Sequence, residues 1–353
     1  MEDLVKNMLD FYKGKKIFIT GHTGFKGSWL TKMLTMAGAQ VTGYALEPQA
    51  GEPNLFGLAD VAGGMNSIIG DIRDYDSLYK AFDAAKPEFV IHMAAQPLVR
   101  DSYEMPVYTY ETNVMGTVNI LECVRNTDCV RSFLNVTTDK VYENIESQRG
   151  YVESDKLDGY DPYSNSKSCS ELVTHSYKKS FLAERGIAVS TARAGNVIGG
   201  GDFAKNRIIP DCVRAAMAKE TVVLRNPDSI RPFQWVLEPL FAYLLIMQKQ
   251  YEDITSADWY NVGPDESDAV TVERLTEMFC NAWGEDASFT VKPDGGPHEA
   301  GLLMLNCDKI KERLGWLPKY DIKAAIEKTV EWSKVFAAGD DIRDITEKQI
   351  NEF

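Results

Sequence analysis

Through its first half the chain alternates two textures. Short β-branched apolar runs are each followed by a longer stretch whose apolar residues recur at helical spacing. Lys16-Ile17-Phe18-Ile19-Thr20 is the first run, and Trp29, Leu30, Met33, Leu34 and Met36 mark a helix over 25–37. Val41-Thr42-Gly43-Tyr44-Ala45, Ser67-Ile68-Ile69-Gly70, Phe89-Val90-Ile91-His92, Phe133-Leu134-Asn135-Val136 and Ala188-Val189-Ser190-Thr191-Ala192 repeat the strand signature. Strands separated by helices of this length predict an α/β protein with a Rossmann-like, doubly wound parallel sheet and right-handed crossovers. Ligands in such sheets sit at the carboxyl ends of the strands.

After Gly199-Gly200-Gly201 the segments shorten, with breakers at Pro210, Asn226-Pro227, Pro232 and Pro239. The pattern divides the chain into a dinucleotide-binding Rossmann domain at 1–198, a smaller C-terminal substrate-binding lobe at 199–335 and a charged C-terminal tail at 336–353, helical and solvated or disordered. Leu237 to Met247 reads as a helix, so the segment 236–248 is expected to return to the first domain. The sequence contains no internal repeat.

Composition narrows the function classes. A formal charge of −14 over 353 residues argues against nucleic acid and against an anionic membrane surface. An anionic substrate must then be met by a local cluster of arginines and backbone amides. The cysteines (Cys123, Cys129, Cys169, Cys212, Cys280, Cys307) are scattered, without a C-x-x-C pair or a neighbouring histidine cluster. They read as reduced thiols, and neither a metal site nor a disulfide framework is expected. No apolar run reaches membrane-spanning length, and Met1-Glu2-Asp3-Leu4 does not open a basic-then-apolar leader, so the expected compartment is the cytoplasm.

Candidate chemistry falls at the strand ends. Gly21-His22-Thr23-Gly24-Phe25-Lys26-Gly27 lies directly between the first strand and its helix. Glycines at Gly21, Gly24 and Gly27 let a pyrophosphate approach the helix N-terminus, where free N–H groups and the dipole favour negative charge. A carboxylate after the second strand favours NAD, and an arginine there favours NADP. Tyr44-Ala45-Leu46-Glu47-Pro48 has no arginine, which points to NAD. Asp71-Ile72, after the third strand, fits an adenine-edge contact. Tyr163 and Lys167 stand one helical turn apart on one face, behind the helix start Asp161-Pro162. A phenol must lose its proton to act as a base at a carbinol, and a nearby ammonium favours the phenolate. Thr138 is the natural third member. Asp139 and Lys140 add an acid and an amine that simple alcohol oxidation does not need, whereas elimination of water does.

With these residues in place, the chain resembles the extended short-chain dehydrogenase/reductase family and, within it, the CDP-glucose 4,6-dehydratases. The resemblance runs from Gly14-Lys15-Lys16 to about Trp332. It rests on the glycine turn with Ser28-Trp29-Leu30, on Thr138-Asp139-Lys140-Val141-Tyr142-Glu143-Asn144, and on Tyr163-Ser164-Asn165-Ser166-Lys167. Arg193-Ala194-Gly195-Asn196-Val197-Ile198, Arg207-Ile208-Ile209-Pro210-Asp211, Val236-Leu237-Glu238-Pro239-Leu240, Pro297-His298-Glu299-Ala300 and Leu314-Gly315-Trp316-Leu317-Pro318 extend it. The resemblance implies an NAD-dependent hydro-lyase in deoxysugar synthesis. In that reaction C4 is oxidised, water leaves across C5–C6 and the hydride returns to C6. Asp139 then protonates the departing 6-hydroxyl and Lys140 removes the C5 proton, where related dTDP-glucose dehydratases carry a glutamate. The expected cofactor set is Gly21, Thr23, Gly24, Phe25, Lys26, Gly27, Asp71, Ile72, Ala94, Ala95, Gln96, Asn113, Thr137, Tyr163 and Lys167. Asn196, Arg207 and Arg231 are expected on the nucleotide sugar, and His298 and Glu299 on the ribose or base by resemblance alone.

Two stretches depart from the family pattern: Arg231-Pro232-Phe233-Gln234-Trp235-Val236, in the expected nucleotide pocket, and Leu303-Met304-Leu305-Asn306. Competing readings are a nucleotide-sugar 4-epimerase, which uses Tyr163 and Lys167 without Asp139-Lys140, and a dehydratase for GDP-mannose, dTDP-glucose or UDP-glucose. A non-catalytic redox-sensing dinucleotide module is the alternative from another class. The helical stretches 106–127 and 162–184 are candidates for pairing across a two-fold axis, which would make the protein a homodimer or larger homo-oligomer.

Overall fold

The computed structural model describes residues 2–147, 149–284, 287–292 and 302–353. Its strands are β1 (Lys16–Thr20), β2 (Gln40–Ala45), β3 (Asn66–Ile69), β4 (Phe89–His92), β5 (Ser132–Thr138), β6 (Ala188–Ala194), β7 (Asn196–Ile198), β8 (Thr221–Leu224), β9 (Ile230–Trp235), β10 (Trp259–Val262), β11 (Ala269–Thr271) and β12 (Ser288–Val291). The main sheet runs β10-β6-β5-β4-β1-β2-β3, and every neighbouring pair in it is parallel. Its order reverses between β1 and β4, which opens a crevice at their carboxyl ends. Residues of β4, β5 and β6 are buried throughout, as a sheet covered by helices on both faces requires.

Several polar groups inside this sheet are satisfied by neighbours. Ser132 donates its hydroxyl to the Met247 carbonyl at 3.1 Å, and Asn135 donates to the Ser170 and Thr174 hydroxyls at 2.9 Å each. Such pairing offsets the desolvation of amide and hydroxyl groups that helical or strand periodicity alone would mark as misplaced.

The second half departs from the expected division in one way: beyond the helix expected to return, a strand joins the first domain as well. The Leu237–Glu252 helix packs on β5 and β6, and the chain then adds β10 to the edge of the main sheet. Part of the stretch expected as the lobe is therefore part of the main sheet. The smaller region holds the sheet β11-β9-β7, the parallel pair β12-β8 and the helices Ile208–Ala218 and Val272–Trp283.

The expected charged tail also proves to be packed. Ile342–Glu352 is a helix whose Ile342, Ile345, Thr346, Gln349 and Ile350 are buried. Phe353 meets Trp235, Phe241 and Tyr320 with ring centroids 5.7, 5.8 and 5.8 Å apart. The charges lie on the outer face of an amphipathic helix, and a composition averaged over all faces conceals that. Trp235, expected beside the nucleotide, is wholly buried against Tyr320 and Phe353. Among the described residues no helix is long and apolar enough to cross a membrane.

Candidate active site

The glycine turn leaves β1 and is drawn against the sheet. The Gly21 N–H donates to the Tyr44 carbonyl at 2.9 Å, and Gly21 adopts a φ of +80°. A Cβ there would stand 2.8 Å from the Ala94 nitrogen, and one on Gly27 only 2.1 Å from the Gly21 carbonyl oxygen. Both positions thus require glycine, because the backbone itself fills the space. The Phe25–Met36 helix begins at Gly24 with no side chain capping its first N–H groups. Those groups face a cleft of ≈ 250 Å³. This uncapped, positively polarised end fits a dinucleotide diphosphate.

Gly21, Thr23, Gly24, Phe25, Lys26, Gly27, Asp71, Ile72, Ala94 and Ala95 line that cleft, and Arg207 reaches it from the smaller region. Thr23 donates to the Leu46 carbonyl at 2.8 Å, which ties the turn to the end of β2. The Asp71 carboxylate is already engaged: Arg73 approaches to 2.7 Å and holds its pKa below the usual range. The same Arg73 pairs with Glu111 at 3.1 Å and lies over the Tyr108 ring. Leu46, Tyr108 and Thr112 also line the cleft, and no motif in the sequence marked them.

Deeper in, the ends of β5 and of the Pro162–Tyr177 helix meet. Asp161 starts this helix by accepting from the Ser164 N–H at 2.9 Å, with Pro162 in the first turn. The helix then presents Tyr163, Lys167 and Glu171 along one face. Lys167 donates to the Val136 carbonyl at 3.0 Å. Burial draws Lys167 down to about 8, with Glu171 opposing the shift. Burial pushes the Tyr163 phenol up to about 12, and a hydrogen bond with Thr138 and the charge of Arg207 work in the other direction. Asp139 is 1% exposed and accepts from the Thr138 hydroxyl at 2.9 Å, while Lys140 stands 3.6 Å away, part-exposed.

Lys26 turns inward to join this group. Its ammonium lies 5.7 Å from the centroid of the buried Tyr243 ring. Burial first, then the charges of Lys167 and Arg207, bring Lys26 down to about 7, against the pull of Asp139. Lys26, Lys140, Lys167 and Arg207 thus gather basic side chains locally in a protein of net −14. Arg207 is itself held by Asp202 at 3.1 Å.

Behind the site, Glu171 accepts from Thr137, from Thr191 at 2.7 Å and from Arg193 at 2.9 Å. Burial disfavours its charge, but Arg193, His175 and Thr137 outweigh burial and hold it at about 2. Thr137 therefore directs its hydroxyl behind the sheet, away from the cleft. Gln96 and Asn113 bond each other, the Asn113 Oδ1 accepting from the Gln96 N–H at 2.8 Å, and Asn113 also donates to Ser166 at 2.9 Å. Glu171 and Arg193 escaped the site reading, although Glu171 follows Lys167 by one further turn. Asn196 opens β7, and Arg231 lies on β9 with its guanidinium on the Ile230 carbonyl at 2.8 Å. His298 and Glu299 lie outside the described residues.

The family model of GDP-mannose 4,6 dehydratase matches residues 18–329. The chain is 45% identical to CDP-glucose 4,6-dehydratase of Salmonella typhimurium over 350 residues, 98% of this chain and 97% of that protein. Among solved structures, an epimerase of Methanothermobacter thermautotrophicus matches with a TM-score of 0.81 at 20% identity, over 97% of this chain and 98% of the other. A dTDP-glucose 4,6-dehydratase of Bacillus anthracis in complex with NAD matches with a TM-score of 0.76 at 21% identity, over 91% and 97%. These two share its fold.

Proposed function

The chain belongs to the GDP-mannose 4,6-dehydratase family of extended short-chain dehydrogenases/reductases, and from that premise we propose how its site works. It is a nucleotide-sugar 4,6-dehydratase, an NAD-dependent hydro-lyase, and its substrate is CDP-D-glucose. The product is CDP-4-keto-6-deoxy-D-glucose. The observation that carries the reading is the buried Asp139, paired with Lys140 and bonded to the Thr138 that serves Tyr163. A 4-epimerase has no use for this second acid–base pair.

NAD would be held by the Gly21–Gly27 turn, Asp71, Ile72, Ala94 and Ala95, and would supply a hydride acceptor for C4 and a hydride donor for C6. The protein does the rest. Tyr163 takes the proton of the 4-hydroxyl, and the ammonium of Lys167 supports its phenolate. Asp139 gives a proton to the 6-hydroxyl, and Lys140 takes the C5 hydrogen, which the C4 ketone has acidified. Asn196, Arg207 and Arg231 meet the nucleotide diphosphate. The first 198 residues with the helix and strand at 237–262 form the cofactor half, and the smaller region carries the sugar nucleotide.

The active form is a cytoplasmic homodimer, paired through the helical stretches 106–127 and 162–184. Val107 is 70% exposed and Leu172 54% exposed on these stretches. Such apolar surface favours burial against a second copy. Sedimentation at rising protein concentration tests the dimer. Incubation with CDP-, dTDP-, UDP- and GDP-linked hexoses, read by proton NMR for a new C6 methyl, tests the reaction. A 6-hydroxyl that survives on every sugar would reject it.

A further inference from the structure

One turnover of the dehydration, on the reading above, moves protons unevenly between two neighbouring side chains. At C4 the O–H bond breaks and its proton goes to Tyr163, while the carbon-bound hydrogen departs as hydride. Across C5–C6 the C5–H and C6–O bonds break. Lys140 takes the C5 proton, and Asp139 gives a proton to the 6-hydroxyl, which leaves as water. Hydride arriving at C6 and a proton returned by Lys140 to C5 complete the product. Lys140 ends as it began. Tyr163 ends with one proton too many and Asp139 with one too few, so the site cannot start again until a proton crosses from phenol to carboxylate.

A single hydroxyl stands between them. Thr138 Oγ1 donates to Asp139 Oδ1 at 2.9 Å and is also within hydrogen-bonding reach of the Tyr163 phenol. The backbone N–H of Lys140, 3.4 Å from the same oxygen, fixes where that hydroxyl sits. Thr138 is 6% exposed and Asp139 1%, which leaves bulk water little access to the carboxylate. The other carboxylate oxygen, Oδ2, is buried without a hydrogen-bond partner and faces Gly195, where a Cβ would come within 3.4 Å. The two oxygens are thus differently placed, Oδ1 toward Thr138 and Lys140, and Oδ2 toward the Gly195 backbone. A hydroxyl both donates and accepts, so it can take one proton while releasing another.

We propose that Thr138 is a proton relay between Tyr163 and Asp139, so that the proton taken at the sugar's 4-hydroxyl replaces the one lost in the water formed at C6. In the step, the Tyr163 O–H breaks as a new Thr138 O–H forms. The original Thr138 O–H breaks as the Asp139 O–H forms. No electron pair leaves the site, and no co-reactant is needed. The relay rests on the dehydratase reading, because only a reaction that expels water at C6 unloads Asp139 on each turnover.

The test compares the first turnover with later ones in the full chain with NAD bound, for wild type, Thr138→Val and Thr138→Ser. In Thr138→Val every turnover loses the hydrogen bond to Tyr163, but solvent sets the protonation of both groups before mixing, so the first turnover is slowed less than the reset. Rapid mixing with CDP-glucose should then show a burst of one product per site. The steady rate after it should be slower by about 10²-fold, the low end of what positioned proton transfer contributes. Thr138→Ser, which keeps the hydroxyl, should restore uninterrupted turnover. Equal slowing of the first and later turnovers in Thr138→Val, or no slowing at all, overturns the relay. If that variant does not fold, Thr138→Ala takes its place with the same two outcomes. A wild type that forms no C6 methyl overturns the dehydratase reading as well, whereas a productive wild type beside an evenly slowed variant overturns the relay alone.

Discussion

Glu171 and Arg193 form an ion pair 2.9 Å long with both side chains almost wholly buried, directly behind the helix face that carries Tyr163 and Lys167. It joins that helix to the end of β6, and the Thr137 hydroxyl joins the same carboxylate to β5. Val136, Thr137 and Thr138 thereby reach Lys167, Glu171 and Tyr163 in turn. The register of the strand against the helix, and so the spacing of the two acid–base pairs, is held by these bonds.

Glu171→Gln should destabilise the protein by about 3–5 kcal/mol in chemical denaturation, because it leaves the Arg193 charge buried and uncompensated. In the wild type this carboxyl is held at about 2, below its ordinary value. Its contribution should therefore be complete above about pH 4.5. It should be lost as the pH falls toward 2. A pH series of unfolding free energies checks the sign, and the slope in that window should be shallower in Glu171→Gln.

Tyr163→Phe should lower turnover by roughly 10²–10⁴-fold while NAD binding, followed by tryptophan fluorescence, persists. Arg207→Met should raise the Tyr163 pKa, since the guanidinium favours the phenolate. The acidic limb of the kcat/KM profile should then move to higher pH. An unmoved limb with a raised KM would mean that Arg207 serves binding alone.

Asp139→Asn should still oxidise C4 but yield little C6-methyl product. In deuterated water, wild type should carry deuterium at C5 of the product, and Lys140→Met should make that hydrogen slow to leave. Proton NMR reads both. Normal dehydration in Asp139→Asn would remove the carboxyl from the reaction.

Gly27→Ala should weaken NAD binding and cost about 1–3 kcal/mol of stability, because its Cβ would meet the Gly21 carbonyl at 2.1 Å. The same change at Gly14, with open space around the site but a φ of +74°, meets no such clash. Calorimetric titration of the two variants separates crowding from backbone strain.

Phe353→Ala should destabilise by about 3 kcal/mol, as for a buried aromatic, because the ring closes a cluster with Trp235, Phe241 and Tyr320. A free, solvated tail would show no change in thermal midpoint.

Much of this protein is determined locally and is therefore legible in sequence. The apolar runs from Lys16 to Ala194 specify strands, since a parallel strand buried on both faces favours near-continuous apolar residues. The glycines at 21 and 27 follow from backbone that meets backbone, and Tyr163, Lys167 and Glu171 share a face through the pitch of one helix. Tertiary structure alone decided what depends on distant partners. Trp235 and Phe353 are far apart in the chain, and neither position shows that they pack together. β10 joins the sheet beside β6, although nothing in Trp259–Val262 names its neighbour. The inward turn of Lys26, the orphaned Oδ2 of Asp139 and the link from Thr138 to two acid–base groups arise where separate strands and helices converge. Periodicity records which face of an element is buried, and only the folded chain records what lies against it.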